Sequence, residues 1–508
     1  MNDLRSQLQR IGVPAGPLLA TVLYFLLPTE YNGPDGDMVA FTSAGRIALG
    51  VLVWMAIWWL TEAVELSTTA LIPVAVLPAL GAIGIKEAAA PYAHHLIFLF
   101  IGGFTIALSM QRWGLDKRIA LATLRVVGTK PANMIGGFMI ATAVLSAFIS
   151  NTATTAMMLP IALSVVMLLR DRMGDGKESE NFGVSLMLAI AYSASMGGLS
   201  TLVGTPPNAF LASFVSDSIA EEFRSEISFA KWLMFGVPVS LCMLPFGWVL
   251  LTKWLYPTPA VQIEGGKKLI DEEYRALGPM KWGEKVTLIV FCCTGLGWIS
   301  RPFIKEIAIP LGSGELKPFA SLSDPGVAMI AAVLLFAIPA RTGKRESVMN
   351  WETAMKMPWD ILILFGGGMS LAAAIKATGV AEFLASQATH FGGMPMIALI
   401  LLVVSAVIFL TELTSNLATT ATLLPVLAAM APGLGIHPYL LIFTATIAAS
   451  CAFMMPVATP PNAIVFGSRL LTIPQMVKAG IWMNIAGVVV ITILAWFLLE
   501  PATGISLK

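Results

Sequence analysis

Two eleven-residue phrases carry most of the polar chemistry of an otherwise greasy chain. Ser150–Pro160 reads SNTATTAMMLP and Ser415–Pro425 reads SNLATTATLLP, identical at eight of eleven positions and 265 residues apart. Ser-Asn-Thr ahead of Ala-Thr-Thr-Ala is the pattern of a helix N-cap and first turn. A second pair, GTPPNA at Gly204–Ala209 and ATPPNA at Ala458–Ala463, reads as a helix break followed by a new start. The first proline restricts the residue before it and is at ease in a first turn. Four helix N-termini result, at Asn151–Thr154, at Asn416–Thr419, and after Thr205-Pro206-Pro207 and Thr459-Pro460-Pro461. Each ends in free N–H donors and roughly half a positive charge. Brought together they would hold an anion with no arginine or lysine, and nothing basic lies in 131–169 or 393–431. Dipoles alone match a dianion weakly. A bound cation beside them restores the balance, and Ser, Thr and Asn oxygens with the carbonyls freed at the breaks suit Na+. No carboxylate cage for Ca2+ is visible.

These termini must be positioned in a bilayer. The 508 residues are 57% hydrophobic and only 12% charged, with mean hydropathy +0.80; soluble domains run near 25% charged. Apolar runs of about 20 residues recur, enough for a hydrocarbon core of roughly 30 Å. The reading is an all-α, multi-pass integral membrane protein. The polar start MNDLRSQLQR leads into a span-like run from Val13 to Pro28, and no cleavable leader is expected. A net charge of +1 implies no bulk attraction to nucleic acid. Cys242, Cys292, Cys293 and Cys451 lie in apolar runs without CxxC spacing and read as small buried side chains. Four histidines, two of them the adjacent His94 and His95, give no metal constellation, so neither an enzyme nor a cofactor is expected. The longest polar segment, Tyr256–Lys285, is too short for a soluble domain.

Eleven crossings are expected, at about 12–28, 45–63, 66–85, 94–113, 184–213, 232–252, 284–300, 325–341, 359–378, 437–468 and 477–499. The stretches 131–169 and 393–431 exceed one crossing. Each is two short crossings or a re-entrant hairpin with its SN motif near the middle. Trp58, Trp59 and Trp298 read as interface anchors, and His94 and Lys376 as capping or snorkelling residues at span ends. Positive clusters at Arg112–Lys130, Arg170–Lys177, Lys253–Lys285, Arg341–Lys356 and Arg469–Lys478 place the N-terminus in the cytoplasm and the C-terminus outside. The outer loop Arg301–Lys317, with three positive residues, dissents.

The 265-residue offset extends back to LFIGGF (Leu99–Phe104) and LFGGGM (Leu364–Met369), and it pairs Ser146 with Thr411. An odd number of crossings separates the copies, so the second is inverted, as in secondary transporters with a site near the midplane. Glu412, beside the second tip, stays open between a coupling carboxylate, an outer rim and helix packing.

The doubled SNTAT/SNLAT and GTPPN/ATPPN motifs resemble those of the divalent anion/sodium symporter family, over nearly the whole chain. The resemblance implies eleven transmembrane helices plus two re-entrant hairpins and a homodimer working as an elevator. It implies scaffold at 1–130 and, with the cytoplasmic linker, 257–378, and a mobile transport domain at 131–256 and 379–508. One sodium site would use Ser146, Asn151 and backbone at Gly204; the other Thr411, Asn416 and backbone at Thr414 and Ala458. Substrate would meet Ser150, Asn151, Thr152, Thr205, Pro206, Ser415, Asn416 and Pro460. One departure stands out: Leu417 occupies the place that Thr152 holds in the first motif, removing a hydroxyl. A C4-dicarboxylate such as succinate, malate or fumarate is the first expectation. Sulfate, citrate and sodium-independent anion exchange are alternatives, and a passive anion channel is the rival class.

Overall fold

The structure is a computed structural model describing residues 2–504 apart from 34–36, 129, 175, 259–264, 312–313, 344 and 390–392. Lys344 of one basic cluster and positions 259–264 of the polar segment therefore lie outside the described residues. Eight helices among those described are long and apolar enough to cross a membrane, and strands are confined to two short hairpins.

Two antiparallel helices come first, α1 (Asn2–Leu26) and α2 (Ser43–Thr61), with the Thr42 hydroxyl capping α2 through Gly45 N–H. The expected crossing at 66–85 does not form as one helix. It divides into α3 (Leu66–Thr69) and α4 (Ile72–Ala79), the latter starting with Pro73 in its first turn and carrying Pro78 just before its end, ahead of α5 (Ile85–Ala89). Two parallel series of helices follow. The first contains α6 (His95–Trp113), α7 (Leu115–Val126), α8 (Pro131–Ser146), α9 (Asn151–Met173), α10 (Lys177–Leu199), α11 (Pro206–Asp217) and α12 (Phe229–Val249). A connecting region holds α13 (Gly266–Ala276), α14 (Trp282–Ile304), α15 (Asp324–Ala337) and α16 (Trp351–Ala354). The second series repeats the order in α17 (Trp359–Ala377), α18 (Val380–Ala388), α19 (Met396–Thr411), α20 (Asn416–Gly433), α21 (Pro438–Ala449), α22 (Pro460–Phe466) and α23 (Ile473–Thr503).

The interior is organised around α10, whose apolar window is wholly buried, as expected of a helix hydrophobic on every face. It packs against α8, α9, α12 and α22. A Cβ at Gly197 would collide with the Ala143 backbone, so glycine lets α8 and α10 approach closely.

Polar contacts sort the loops into two ends. At one end Arg112 pairs with Glu346, Lys117 with Glu273 and Arg125 with Asp271, joining three of the basic clusters. At the other, His94 pairs with Asp217 at 3.0 Å, Lys376 donates to the Asp217 carbonyl and Arg301 pairs with Glu226 at 2.7 Å. Arg301 also reaches the buried Asp324. Its charge is therefore neutralised inside the protein, which accounts for one of the three positive residues of the dissenting loop. His94 caps α6 through Leu96 N–H, as expected of a span end.

Two expectations fail. Trp59 and Trp298 are buried, their indole N–H groups donating to the carbonyls of Leu66 and Asp324. They are core residues, because each finds an internal acceptor for its one polar atom. Of the cysteines only Cys451 is buried; Cys242, Cys292 and Cys293 are exposed on the surfaces of α12 and α14.

Candidate functional site

All four helix starts form where the motifs place them. Ser150 and Ser415 are the N-caps of α9 and α20, and Thr205 and Thr459 those of α11 and α22. The four caps are not used alike. The Ser150 hydroxyl accepts from Ala153 N–H at 3.2 Å and the Thr459 hydroxyl from Asn462 N–H at 3.4 Å. Ser415 and Thr205 make no such bond, and both residues line the space between the helices.

That space is a cavity of about 580 Å³, within the range of small-molecule sites. Ser150, Asn151, Thr152, Thr205, Pro206, Ser415, Asn416 and Pro460 all line it, as do Gly204 and Ala458. Leu417 takes the place opposite Thr152, so the missing hydroxyl is missing from the wall itself. No lysine, arginine or histidine lines it among the described residues.

Ser146, Thr411 and Thr414 stand behind the wall and act through the tips. The Ser146 hydroxyl lies 2.6 Å from Asn151 Oδ1 and 2.7 Å from the Ala194 carbonyl. In the second copy the Thr411 hydroxyl lies 2.9 Å from Asn416 Oδ1 and 2.7 Å from the Ala449 carbonyl. A hydroxyl has one proton to give, so each trio has three converging oxygens and one hydrogen between them. The same oxygen-rich arrangement, of a kind that could hold a small cation, recurs at both tips. Thr414 instead bonds the Leu410 carbonyl and the Thr419 hydroxyl, the latter at 2.6 Å.

The unwound segments between paired helices are held by residues the sequence reading quoted but gave no task. Asn208 Nδ2 donates to the carbonyls of Gly198 (3.2 Å) and Thr201 (2.9 Å). Asn462 Nδ2 donates likewise to Ala452 (3.2 Å) and Met455 (3.0 Å). Both asparagines are fully buried. A carbonyl freed from a helix at membrane depth needs a donor, and the asparagine of each TPPN supplies it. The signal was present in the repeated PPN.

Residues 21–500 match the family described as "Sodium:sulfate symporter transmembrane region". The chain belongs to that family. It is a transporter family, and its members are multi-pass membrane proteins. The chain is 38% identical over 502 residues to the sodium-dependent dicarboxylate transporter SdcS of Staphylococcus saprophyticus, covering 98% of this chain and 93% of that protein. It is 36% identical over 504 residues to SdcS of Staphylococcus aureus, with the same coverage. Two solved structures share the fold at 14% identity. Neisseria gonorrhoeae MtrF, described as representing a class of antimetabolite efflux pumps, has a TM-score of 0.58 over 97% of this chain and 95% of that one. The YdaH transporter of Alcanivorax borkumensis has 0.57 over 99% and 98%.

In this symporter-family member the cavity also meets Glu62 and Asp360, on the wall formed by the end of α2 and the first turn of α17. Sequence reasoning missed both, since neither lies in a repeated motif nor within either tip. Only packing of α2 and α17 against the tips brings them in.

Proposed function

We propose that this chain is a secondary active transporter that moves a divalent anion, with a C4-dicarboxylate as first choice, together with Na+. The observation that carries the reading is the single cavity in which both SN tips and both TPPN starts meet without a basic side chain. Four helix N-termini and two unpaired hydroxyls recognise the carboxylates, and sodium supplies the positive charge that dipoles lack. The sodium seats lie at the two tips: Ser146 and Asn151 with backbone at Gly204, and Thr411 and Asn416 with backbone at Thr414 and Ala458. Substrate rests against Ser150, Asn151, Thr152, Thr205, Pro206, Ser415, Asn416 and Pro460. Relatives named as sodium-dependent dicarboxylate transporters support both the ion and the substrate class.

Movement completes the mechanism. The helix–loop–helix units act as hairpins from opposite ends. α9 packs against α13 at the basic end, whereas His437, just beyond α20, meets Phe223 edge-on at the other. This supports an inverted repeat. With the basic end in the cytoplasm, the N-terminus is inside and the C-terminus outside across eleven crossings and two hairpins. Residues 131–256 and 379–508 then slide as the transport part of an elevator against 1–130 and 257–378, in a homodimer. Each ion raises the affinity for the other, and the coupling is reciprocal.

The decisive experiment is uptake of labelled succinate into proteoliposomes with Na+ inside, outside or replaced by choline. Uptake driven by an inward sodium gradient, and its loss in choline, is the expected result. Undiminished uptake in choline removes the symport reading. Competition by sulfate stronger than by unlabelled succinate transfers the substrate to sulfate.

A further inference from the structure

The two tips differ at one position in a way no repeat requires. Where the 265-residue offset places Ala147 in the first copy, the second has Glu412. Glu412 is buried, 3% exposed. Its carboxyl group folds the unwound segment after α21. Oε1 accepts from Phe453 N–H at 2.7 Å, Met454 N–H at 2.9 Å and Asn484 Nδ2 at 2.7 Å. Oε2 accepts from Met454 N–H and Met455 N–H, each at 3.1 Å. The first copy closes the same gap differently, through the Thr201 hydroxyl and the Ala147 carbonyl. Thr201 and Met455 are equivalent, since Asn208 and Asn462 bind their respective carbonyls.

All of these hydrogen-bond partners of Glu412 are donors, and both oxygens are used. Such a shell fits an ionised, acceptor-only carboxylate. No lysine, arginine or histidine pairs with it among the described residues. A buried anion without a cation is costly unless one is supplied. Glu412 directly follows Thr411, whose hydroxyl meets the Asn416 amide oxygen at the proposed second seat. Met455, which Glu412 holds, lies three residues before the Ala458 carbonyl of the same seat.

We propose that Glu412 is the fixed countercharge of the second sodium seat, so that this seat binds Na+ more tightly than the first and fills before it. Glu412 is a positioning residue and touches neither ion nor substrate. This rests on the sodium-symport reading and deepens it. In the first copy the corresponding seat has only neutral oxygens, and it fills once the second sodium and the substrate have ordered the cavity.

The test measures sodium-dependent thermal stabilisation of purified protein, titrating Na+ against choline at constant ionic strength. Asn151→Ala leaves the second seat and Asn416→Ala leaves the first. The Asn151→Ala protein should reach half-stabilisation at a sodium concentration about tenfold lower than the Asn416→Ala protein, a modest demand on one partly screened charge pair. Adding Glu412→Gln should raise the midpoint of the Asn151→Ala protein about tenfold and leave that of the Asn416→Ala protein in place. A purely structural role would lower the melting temperature without moving the midpoint. Equal midpoints in the two single-seat proteins overturn the proposal, and this comparison decides it even if Glu412→Gln does not fold. Wild-type protein stabilised no better by Na+ than by choline would sink the sodium reading itself, a distinguishable result.

Discussion

The first tip and the second tip are built to one plan and finished differently. Both place a Ser/Thr hydroxyl between an asparagine Oδ1 and a main-chain carbonyl, and both close the facing break with a buried asparagine. The first tip is neutral, has its cap serine engaged and presents Thr152 to the cavity. The second has a buried carboxylate behind it, a cap serine left unengaged and Leu417 in the threonine's place. The shared part is what a helix start requires and what the proposed cation seats would use. The differing part is where the proposed difference in ion affinity and substrate fit would reside.

The largest expected effect tests the shared plan through a place where the tips tolerate different crowding. Gly198 and Ala452 are equivalent, each giving its carbonyl to the break-closing asparagine. A Cβ on Gly198 would lie 2.6 Å from Asn151 Oδ1 and 3.2 Å from the Gly204 carbonyl, displacing two proposed sodium ligands. Gly198→Ala is expected to lose more than tenfold of its sodium-driven uptake while eluting as folded protein. Ala452→Gly should change uptake less than about twofold. Full uptake by Gly198→Ala would show that the two seats are not equivalent in kind.

A middle-sized effect separates the two cap serines. Ser150→Ala removes a cap bond and should cost about 1 kcal/mol of stability, visible as a lower melting temperature. Ser415→Ala removes no cap bond, so its melting temperature should hold while KM for succinate rises several-fold. The reverse pattern would mean that Ser150 serves the substrate and Ser415 the helix. The smallest effect concerns the cavity wall. Leu417→Thr should lower KM for succinate by about two- to fivefold, as one added hydrogen bond in competition with water contributes roughly 0.5–1 kcal/mol. Thr152→Leu should raise it by a similar factor. Competition uptake with succinate and sulfate would also show whether Leu417 biases the choice of anion.

Much of this was legible residue by residue. The helix starts at Asn151, Pro206, Asn416 and Pro460 were readable because capping and proline geometry act over three or four residues. The pairing of Ser146 with Thr411 was readable because duplication preserved an offset. The tryptophans misled, since Trp59 and Trp298 sit near span ends in the sequence yet find carbonyl acceptors inside the fold. The 66–85 run was apolar enough for a crossing but broke just ahead of Pro73. Arg301 looked like a charge on the wrong side until Asp324 and Glu226 reached it.

Composition, hydropathy and local backbone chemistry by themselves determined that this chain lives in a bilayer, where its helices break, and which polar residues repeat. Those properties depend on solvent and on neighbours a few bonds away. Only the tertiary structure decided that both tips and both breaks share one cavity, that α2 and α17 bring Glu62 and Asp360 to its wall, and that Glu412 turns inward to hold 453–455. Each of those depends on packing between segments tens to hundreds of residues apart, and a buried polar group reveals its role only once the donors that surround it are known.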